Sequence, residues 1–384
     1  MIDTSTPGPS AHYAALVNQG LREGLPAARP AGAVWAAVAR RGLPEQLLAR
    51  AVGRFPRVLD HELDGLRAAL ARRWTAFAEL APGLPREPPA TLALLALERS
   101  AGRVVFAFGP GPAPLLVVKI GRAGHRGAER EAAALAEAAG VGIAPRDLGE
   151  LDGALVQEAL PGRPVRVAPL RQASAGLAAW PDALEQVTGA LARLAAATRK
   201  EGRAEELDLP VDMALAPGLL GDPARRRLSL AWERLGDLRT AVLRHGDTSA
   251  QNCLFLDGQL RGLVDWEDAW PLALPGFDAL NAALAYQEHG VGLVRWSQEA
   301  VVESFRESWR SSTFWEAGRE AGAAAARAGG VPEDLLADLL VAFFGHRVIE
   351  RLQEPGVLPT TAVTTARMLD IVCADPAAVD RGAR

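Results

Sequence analysis

Apolar residues recur at intervals of three and four along the first part of the chain, which is the period of a helix with one buried face. The clearest run begins after Asp60, whose side chain can cap a helix N-terminus. Prolines interrupt this region repeatedly, so we expect several short helices. We therefore predict a helical N-terminal extension over residues 1–89. The buried stripe of its clearest helix consists of Leu63, Leu66, Leu70, Trp74 and Phe77.

At Ala90 the pattern changes to short apolar runs separated by Gly, Pro and Asp-Gly, which is typical of β-strands. The third run is LLVVKI, residues 115–120, and a helical run follows at 126–139. Two more short strands flank Asp152-Gly153, a dipeptide that favours a tight hairpin turn. Residues 90–160 are therefore predicted to form a small antiparallel sheet with one helix.

Residues 161–384 are predicted to be mostly helical. One β-hairpin interrupts the helices over about Cys253–Trp266, around a second Asp-Gly turn at Asp257-Gly258. The predicted fold class is therefore α+β, with a small antiparallel sheet followed by a mainly helical part.

Composition narrows the class of protein. The chain carries 42 basic and 46 acidic residues, interspersed along its length, so we expect no nucleic-acid partner. Two cysteines do not make a disulfide framework, which fits a reducing compartment. The sequence shows no signal-peptide pattern and no uninterrupted apolar run of membrane-spanning length. We expect a cytoplasmic protein without a membrane partner, either a monomer or a homodimer.

Lysine is almost absent from the chain. Only Lys119 and Lys200 are lysines among the 42 basic residues, and the others are arginines. A lysine within the apolar run LLVVKI therefore indicates a task that suits a compact ammonium group better than a guanidinium. A side chain reaching solvent from an edge strand is the alternative interpretation of Lys119.

The segment Leu243–Trp270 carries the chemistry. His245 and Asp247 come shortly before the predicted hairpin, Asn252 stands at its start and Asp265 at its end. A hairpin returns the chain beside its own start, so we expect Asn252 and Asp265 to face each other. Carboxylate and amide oxygens suit Mg²⁺, which keeps further positions for water and phosphate oxygens. Asp247, on a loop, can accept the proton of an attacking hydroxyl.

These residues and their spacing, HGDxxxxN followed by an apolar strand ending in DWE, resemble the aminoglycoside phosphotransferase and choline kinase-like family. The resemblance implies a two-lobed protein-kinase-like fold: residues 90–160 would form the nucleotide-binding N-lobe and residues 161–384 the catalytic and substrate-binding C-lobe. It implies that Asp247 is the catalytic base and that His245 supports its loop. Asn252 and Asp265 would hold Mg²⁺.

The resemblance also assigns the nucleotide site. Lys119 would bind the α- and β-phosphates of ATP, and Glu131 would hold that lysine, with Glu129 as the alternative. The hinge would be Gln157, Glu158 and Ala159, which would supply backbone donors and acceptors to the adenine edge. GTP is left open as the nucleotide.

The implied activity is ATP- and Mg²⁺-dependent phosphorylation of a hydroxyl group on a small molecule, of the aminoglycoside, choline-like, macrolide or sugar type. Glu288, Glu350 and Glu354 hint at a cationic acceptor but are equally ordinary helix surface. The alternative is a catalytically silent nucleotide-binding scaffold, because no GxGxxG stands between the first two strands of the small sheet, at Arg99–Gly102.

Other residues of the segment keep two interpretations each. His245 and Asp247 could instead be metal ligands of a hydrolase, although no HExxH-like spacing supports that. Glu267 and Asp268 could contact a cationic substrate or face water. Cys253 is expected to be a packing residue.

Overall fold

A computed structural model of the chain divides into two compact units. The first comprises Met1–Val165 and Gln251–Asp268, and the second comprises Arg166–Ala250 and Ala269–Arg384. The residues whose structure is described are 34–39, 60–89, 91–97, 103–108, 114–120, 127–164, 180–250, 252–290, 298–311, 313–353 and 359–375. The loop at Arg99–Gly102 lies outside these residues.

Six strands form the main sheet of the first unit. They are β1 (Val34–Ala39), β2 (Thr91–Leu97), β3 (Arg103–Phe108), β4 (Pro114–Ile120), β5 (Asp147–Leu151) and β6 (Ala154–Glu158). Their order is β1-β2-β3-β4-β6-β5, with β1 parallel to β2 and every other neighbouring pair antiparallel. β4 therefore has a partner on each side, so Lys119 lies on an interior strand.

The helix α1 (Asp60–Leu80) packs its apolar stripe into the core of this unit. Leu70, Trp74 and Phe77 are buried in one cluster with Leu92 and Val118 of the sheet. Full burial of side chains of this size contributes about 1.5–3 kcal/mol each. The predicted stripe is confirmed for these three residues.

β1 was not expected within the predicted helical extension. Its sequence, VWAAVA, mixes β-branched and aromatic residues with alanine, so local propensity does not decide between helix and strand. Pairing along its full length with β2, from Val34 opposite Leu92 to Ala39 opposite Leu97, is the tertiary contact that selects the strand. The remaining residues before Asp60 lie outside the described part of the chain.

A second, smaller sheet in the same unit contains the hairpin of the candidate site. Its order is β11-β10-β7, with β7 at Arg163–Pro164, β10 at Cys253–Leu256 and β11 at Gln259–Leu263. Both predicted Asp-Gly turns are present, with positive φ at both central residues: 51° and 81° at Asp152-Gly153, and 53° and 73° at Asp257-Gly258. Such angles match a type I′ turn, whose twist suits a hairpin.

Helices make up most of the second unit. They are α3 (Trp180–Ala197), α4 (Asp222–Leu235), α5 (Phe277–Gly290), α6 (Gln298–Ser311), α7 (Thr313–Ala328), α8 (Leu336–Gln353) and α9 (Pro359–Cys373). A small sheet of order β12-β9-β8 accompanies them, with β8 at Lys200–Glu201, β9 at Thr240–Arg244 and β12 at Trp270–Ala273. All five residues of β9 are buried, so the chain reaches the HGD sequence from an interior strand.

The predicted fold class is confirmed, since a small antiparallel sheet with one helix, α2 (Gly127–Ala138), precedes a mainly helical part. The division into domains at 89 and 160 stays a prediction. Among the described residues, none of the helices has both the length and the apolar character needed to cross a bilayer.

Candidate active site

Lys119 is the centre of the site in the first unit. Its side chain extends from β4, and its Nζ lies 2.7 Å from Oε1 of Glu131 and 2.8 Å from Oδ1 of Asp265. The alternative of a lysine reaching solvent from an edge strand does not hold, because β4 is interior and the ammonium group contacts two carboxylates. Lys119 and Asp265, which are 146 positions apart in sequence, are therefore in direct contact.

Glu131 is the partner of Lys119 on α2. Its residue is only 2% exposed, and its Oε1 also accepts a hydrogen bond of 2.9 Å from Nε2 of the buried Gln157. Glu129, the alternative partner, is exposed. The hydrogen bond from Gln157 fixes the orientation of the Glu131 carboxylate, and the carboxylate in turn fixes the position of the Lys119 ammonium group.

Charge interactions dominate this cluster. Burial would lower the pKa of Lys119, but the carboxylates of Asp265 and Glu131 outweigh it and raise the pKa above its ordinary value. Lys119 is therefore a permanent cation. The Asp265 carboxylate raises the pKa of Glu267 to about 7. Glu267 and Asp268 are both exposed.

Asp265 is held in an uncommon backbone conformation after β11. Its φ is 70°, in the left-handed region, which asparagine and aspartate tolerate better than other residues with a side chain. The flanking backbone is fixed, since the Val264 amide donates to the Asn252 carbonyl at 2.9 Å and the Leu263 amide donates to the Ile143 carbonyl at 2.7 Å. The following Trp266 is fully buried and donates to the Leu263 carbonyl at 2.8 Å.

Asn252 and Asp265 fit the donor set that Mg²⁺ requires. The hairpin brings the backbones of residues 252 and 264 into hydrogen-bond contact, which places both oxygen-bearing residues at its open end. No group of three or more His, Cys, Asp or Glu side chains forms a metal site among the described residues. Mg²⁺ does not need one, because it usually takes one or two carboxylates together with water and substrate phosphates.

The predicted hinge lies at the end of β6. The Gln157 side chain contacts Glu131 rather than facing outward. The Glu158 amide donates to the Arg146 carbonyl and the Ala159 amide to the Leu115 carbonyl, both at 2.9 Å. These two amides already have acceptors within the protein. The prediction that this segment contacts adenine therefore depends on its carbonyl groups.

The HGD loop, His245–Asp247, belongs to the second unit. His245 is fully buried, and its Nδ1 accepts a hydrogen bond of 3.3 Å from the Asp247 amide. This bond occupies one of the two imidazole nitrogens through which a metal ion could bind, and it agrees with a supporting role for His245. Gly246 has φ of 89°, a conformation that strains any residue with a side chain.

Asp278 is a residue of the candidate site that could not be identified from the sequence. It lies in the first turn of α5, is 7% exposed, and its two oxygens accept the amides of His245 at 2.6 Å and Gly246 at 3.1 Å. The Thr248 hydroxyl donates to the Asp278 carbonyl at 2.8 Å. Burial raises the pKa of Asp278, against the opposing effect of Arg244 and His245. An acidic residue opening a helix soon after DWE, in the sequence FDALN, was the available signal.

Of the three acidic residues that hinted at a cationic acceptor, the structure describes the side chain of one. Glu350 on α8 is paired with Arg347 at 2.7 Å and with Arg244 at 3.4 Å, so it is not ordinary helix surface. The side chains of Glu288 and Glu354 lie outside the described part of the structure. Cys253 is buried at the start of β10, as a packing residue would be.

A family model described as the phosphotransferase enzyme family matches residues 96–320, which is more than half of the chain. No protein with a curated description matches the chain by sequence.

Several solved structures resemble the chain. An apo thermostable mutant of aminoglycoside phosphotransferase APH(4)-Ia is 16% identical, with a TM-score of 0.44 over 78% of this chain and 98% of that one. Macrolide 2'-phosphotransferase MphH from Brachybacterium faecium is 18% identical, with a TM-score of 0.42 over 77% and 97%. A putative aminoglycoside phosphotransferase from Ralstonia eutropha JMP134 is 14% identical, with a TM-score of 0.44 over 81% and 98%.

Proposed function

Because the chain belongs to the phosphotransferase enzyme family, we propose that it transfers the γ-phosphate of ATP to a hydroxyl group of a small molecule. The observation that carries the proposal is the position of Lys119, 2.7 Å from Glu131 and 2.8 Å from Asp265. Phosphoryl transfer needs a cation on the phosphates beside a carboxylate that can hold a metal ion. One cluster in the first unit supplies both.

Asp247 is the proposed base. Its carboxylate orients the acceptor hydroxyl and takes its proton as the oxygen attacks the γ-phosphorus. The new oxygen–phosphorus bond forms while the bond between the γ-phosphorus and the β,γ-bridging oxygen breaks, and ADP leaves with that oxygen. The hydrogen bond from the Asp247 amide to His245, together with the two amides bound by Asp278, would fix the loop for this step.

Mg²⁺ would be held by Asn252 and Asp265, and when bound it would neutralise charge on the phosphates. Lys119, which lies next to Asp265, would also bind the phosphates. The carboxylate of Asp265 would then contact both cations, which explains why its side chain is held by a fixed hairpin and a left-handed backbone.

The acceptor class is a small hydroxyl compound. A family model of phosphotransferases supports the reaction type, and aminoglycosides, macrolides, choline-like amines and sugars are the first compounds to test. Glu350 gives no support to a polycationic acceptor, because two arginines already neutralise it. ATP is the proposed donor, and GTP is to be compared in the same assay.

The test is phosphate transfer from γ-labelled ATP or GTP to a panel of these acceptors, with and without Mg²⁺. We expect labelled product with at least one acceptor and none when Mg²⁺ is removed. Nucleotide-induced thermal stabilisation, measured in parallel, reports binding independently of turnover. Binding without turnover across the panel would instead favour the silent scaffold.

Two substitutions test whether the carboxylates take part in the reaction. Asp247→Ala and Asp265→Asn are each expected to lower kcat about a thousandfold or more, since each removes transition-state stabilisation. Asp257→Asn is the matched control, because Asp257 also follows a strand of the hairpin with positive φ but is exposed in its turn. Parental activity in either active-site variant would remove that residue from the mechanism.

A further inference from the structure

Arg244 is a buried cation that the proposed mechanism does not use. It is the last residue of β9, directly before His245, and it is 5% exposed. The HGD loop therefore begins directly after this residue. Burying a charged group costs free energy unless opposite charges and hydrogen bonds compensate for the lost water.

Three elements contact the Arg244 guanidinium. Its Nη1 lies 3.2 Å from Oε1 of Glu206, in the short turn Glu205–Asp208, and its Nη2 lies 3.4 Å from Oε1 of Glu350 on α8. Its guanidinium carbon lies 4.8 Å from the ring centroid of Trp270 on β12. The end of β9 is therefore tied to a turn, a helix and the neighbouring strand.

These ion pairs are poor candidates for net stabilisation. Glu206 is fully buried, and burial raises its pKa to about 7 despite the opposing charge of Arg244. Replacing buried ion pairs by apolar residues is often neutral or stabilising for folding. Arg244 is therefore better explained by the position it imposes than by stability.

Arg244 also borders the same cavity as Asp278, the carboxylate that accepts the loop amides. The cavity of about 10 Å³ is lined by both Arg244 and Asp278, and Asp278 accepts the amides of His245 and Gly246. Only an ionised carboxylate offers acceptor oxygens without a competing proton. A nearby positive charge favours that form.

We propose that Arg244 is a positioning residue that holds the HGD loop through Asp278 and through its ties to Glu206 and Glu350. The effect of Arg244 on the reaction rate rests on the proposed phosphotransferase function. The effect of Arg244 on the loop structure does not, because hydrogen exchange at the two amides that Asp278 accepts can be measured without any reaction.

The first measurement is amide hydrogen exchange at His245 and Gly246 in the whole protein without ligands. Arg244→Met is expected to speed exchange at these amides about tenfold or more, and Arg244→Lys to restore part of the protection. Arg234→Met is the matched control, since Arg234 also pairs with a buried carboxylate of α8, Asp338. Unchanged protection in a folded Arg244→Met protein would overturn the proposal.

The second measurement is steady-state kinetics with an acceptor found for the parental enzyme. Arg244→Met is expected to lower kcat about tenfold or more with the KM for nucleotide changed less than about threefold, and Arg244→Lys to recover part of kcat. If Arg244 acts through Asp278, adding Arg244→Met to Asp278→Asn lowers kcat little further. Fully additive losses would contradict this route.

The outcomes separate the two proposals. A parental protein that transfers no phosphate, but whose His245 and Gly246 amides lose protection in Arg244→Met, refutes the function and supports the positioning role. Active Arg244→Met with parental kcat and parental protection refutes the positioning role and leaves the function intact. Should Arg244→Met fail to fold, Arg244→Lys and Glu350→Gln carry the same comparison, and parental protection in both would overturn the proposal.

Discussion

At the scale of single residues, Lys119 has two acidic partners, and they are not equivalent. Glu131 is buried and receives a second hydrogen bond from Gln157, whereas Asp265 is partly exposed. Glu131 is therefore a dedicated partner of the lysine, and Asp265 retains access to other ligands. A nucleotide phosphate that bound Lys119 would therefore displace Asp265 from the lysine more readily than Glu131.

Glu131→Gln is expected to lower kcat/KM for ATP about tenfold or more, because it removes one charge-assisted hydrogen bond of about 1.5–3 kcal/mol. The neutral side chain keeps the shape of the original, so the fold should persist. Glu129→Gln on the exposed face of the same helix is the control and should leave kcat/KM unchanged. Steady-state kinetics with varied ATP makes the comparison, and equal values for both variants would refute it.

Sequence reasoning identified residues of unusual type but not those whose role depends on context. Lys119 was marked by the scarcity of lysine, and the HGD loop by its spacing. The choice between Glu131 and Glu129 required the helix phase relative to the sheet. Asp278 was missed because an acid in the first turn of a helix is common, and only the tertiary structure shows that its oxygens bind two loop amides.

At the scale of elements, the position of β11 requires glycine at residue 262, where the strand passes close to another backbone segment. A Cβ on Gly262 would lie 2.6 Å from the carbonyl oxygen of Ile143, and the next residue, Leu263, donates its amide to that same carbonyl. The close approach holds the strand that leads to Asp265.

Gly262→Ala is expected to destabilise the protein by about 1–3 kcal/mol, since the backbone must move to relieve the overlap. Gly140→Ala is the control, because a Cβ there meets nothing within 4 Å. Melting temperatures of the two variants and the parental protein make the test. A Gly262→Ala protein as stable as Gly140→Ala would show that the strand yields without cost.

Elements were predictable where local chemistry decides the backbone. Both Asp-Gly hairpins and the helix after LLVVKI follow from turn residues and apolar period. β1 was not predictable, because VWAAVA acquires its strand conformation from pairing with β2, which is more than fifty residues later in the chain. A local sequence pattern carries no information about pairing with a distant strand.

At the scale of the whole molecule, buried charge links stability to pH. Glu206 is fully buried, faces Arg244 and Glu350, and has its pKa raised by burial from 4.5 to about 7. A carboxyl group with a raised pKa binds its proton more tightly in the folded state than in the unfolded state. Its contribution to stability is therefore fully present below pH 4.5 and is lost as pH rises to about 7.

Glu206→Gln copies the protonated form at every pH. The melting temperature of the variant minus that of the parental protein is therefore expected to rise between about pH 4.5 and 7 and to level off above. The exposed neighbour Glu205→Gln serves as the control and should show no such rise. Thermal denaturation across this pH range makes the test, and a difference that stayed flat or fell with pH would contradict it.

Lys119 would react poorly with amine-directed reagents. Acylating dyes and activated sensor surfaces are attacked only by an uncharged amine, and the carboxylates around Lys119 keep its amine charged. Coupling through lysine would therefore spare Lys119 and leave the candidate phosphate site intact.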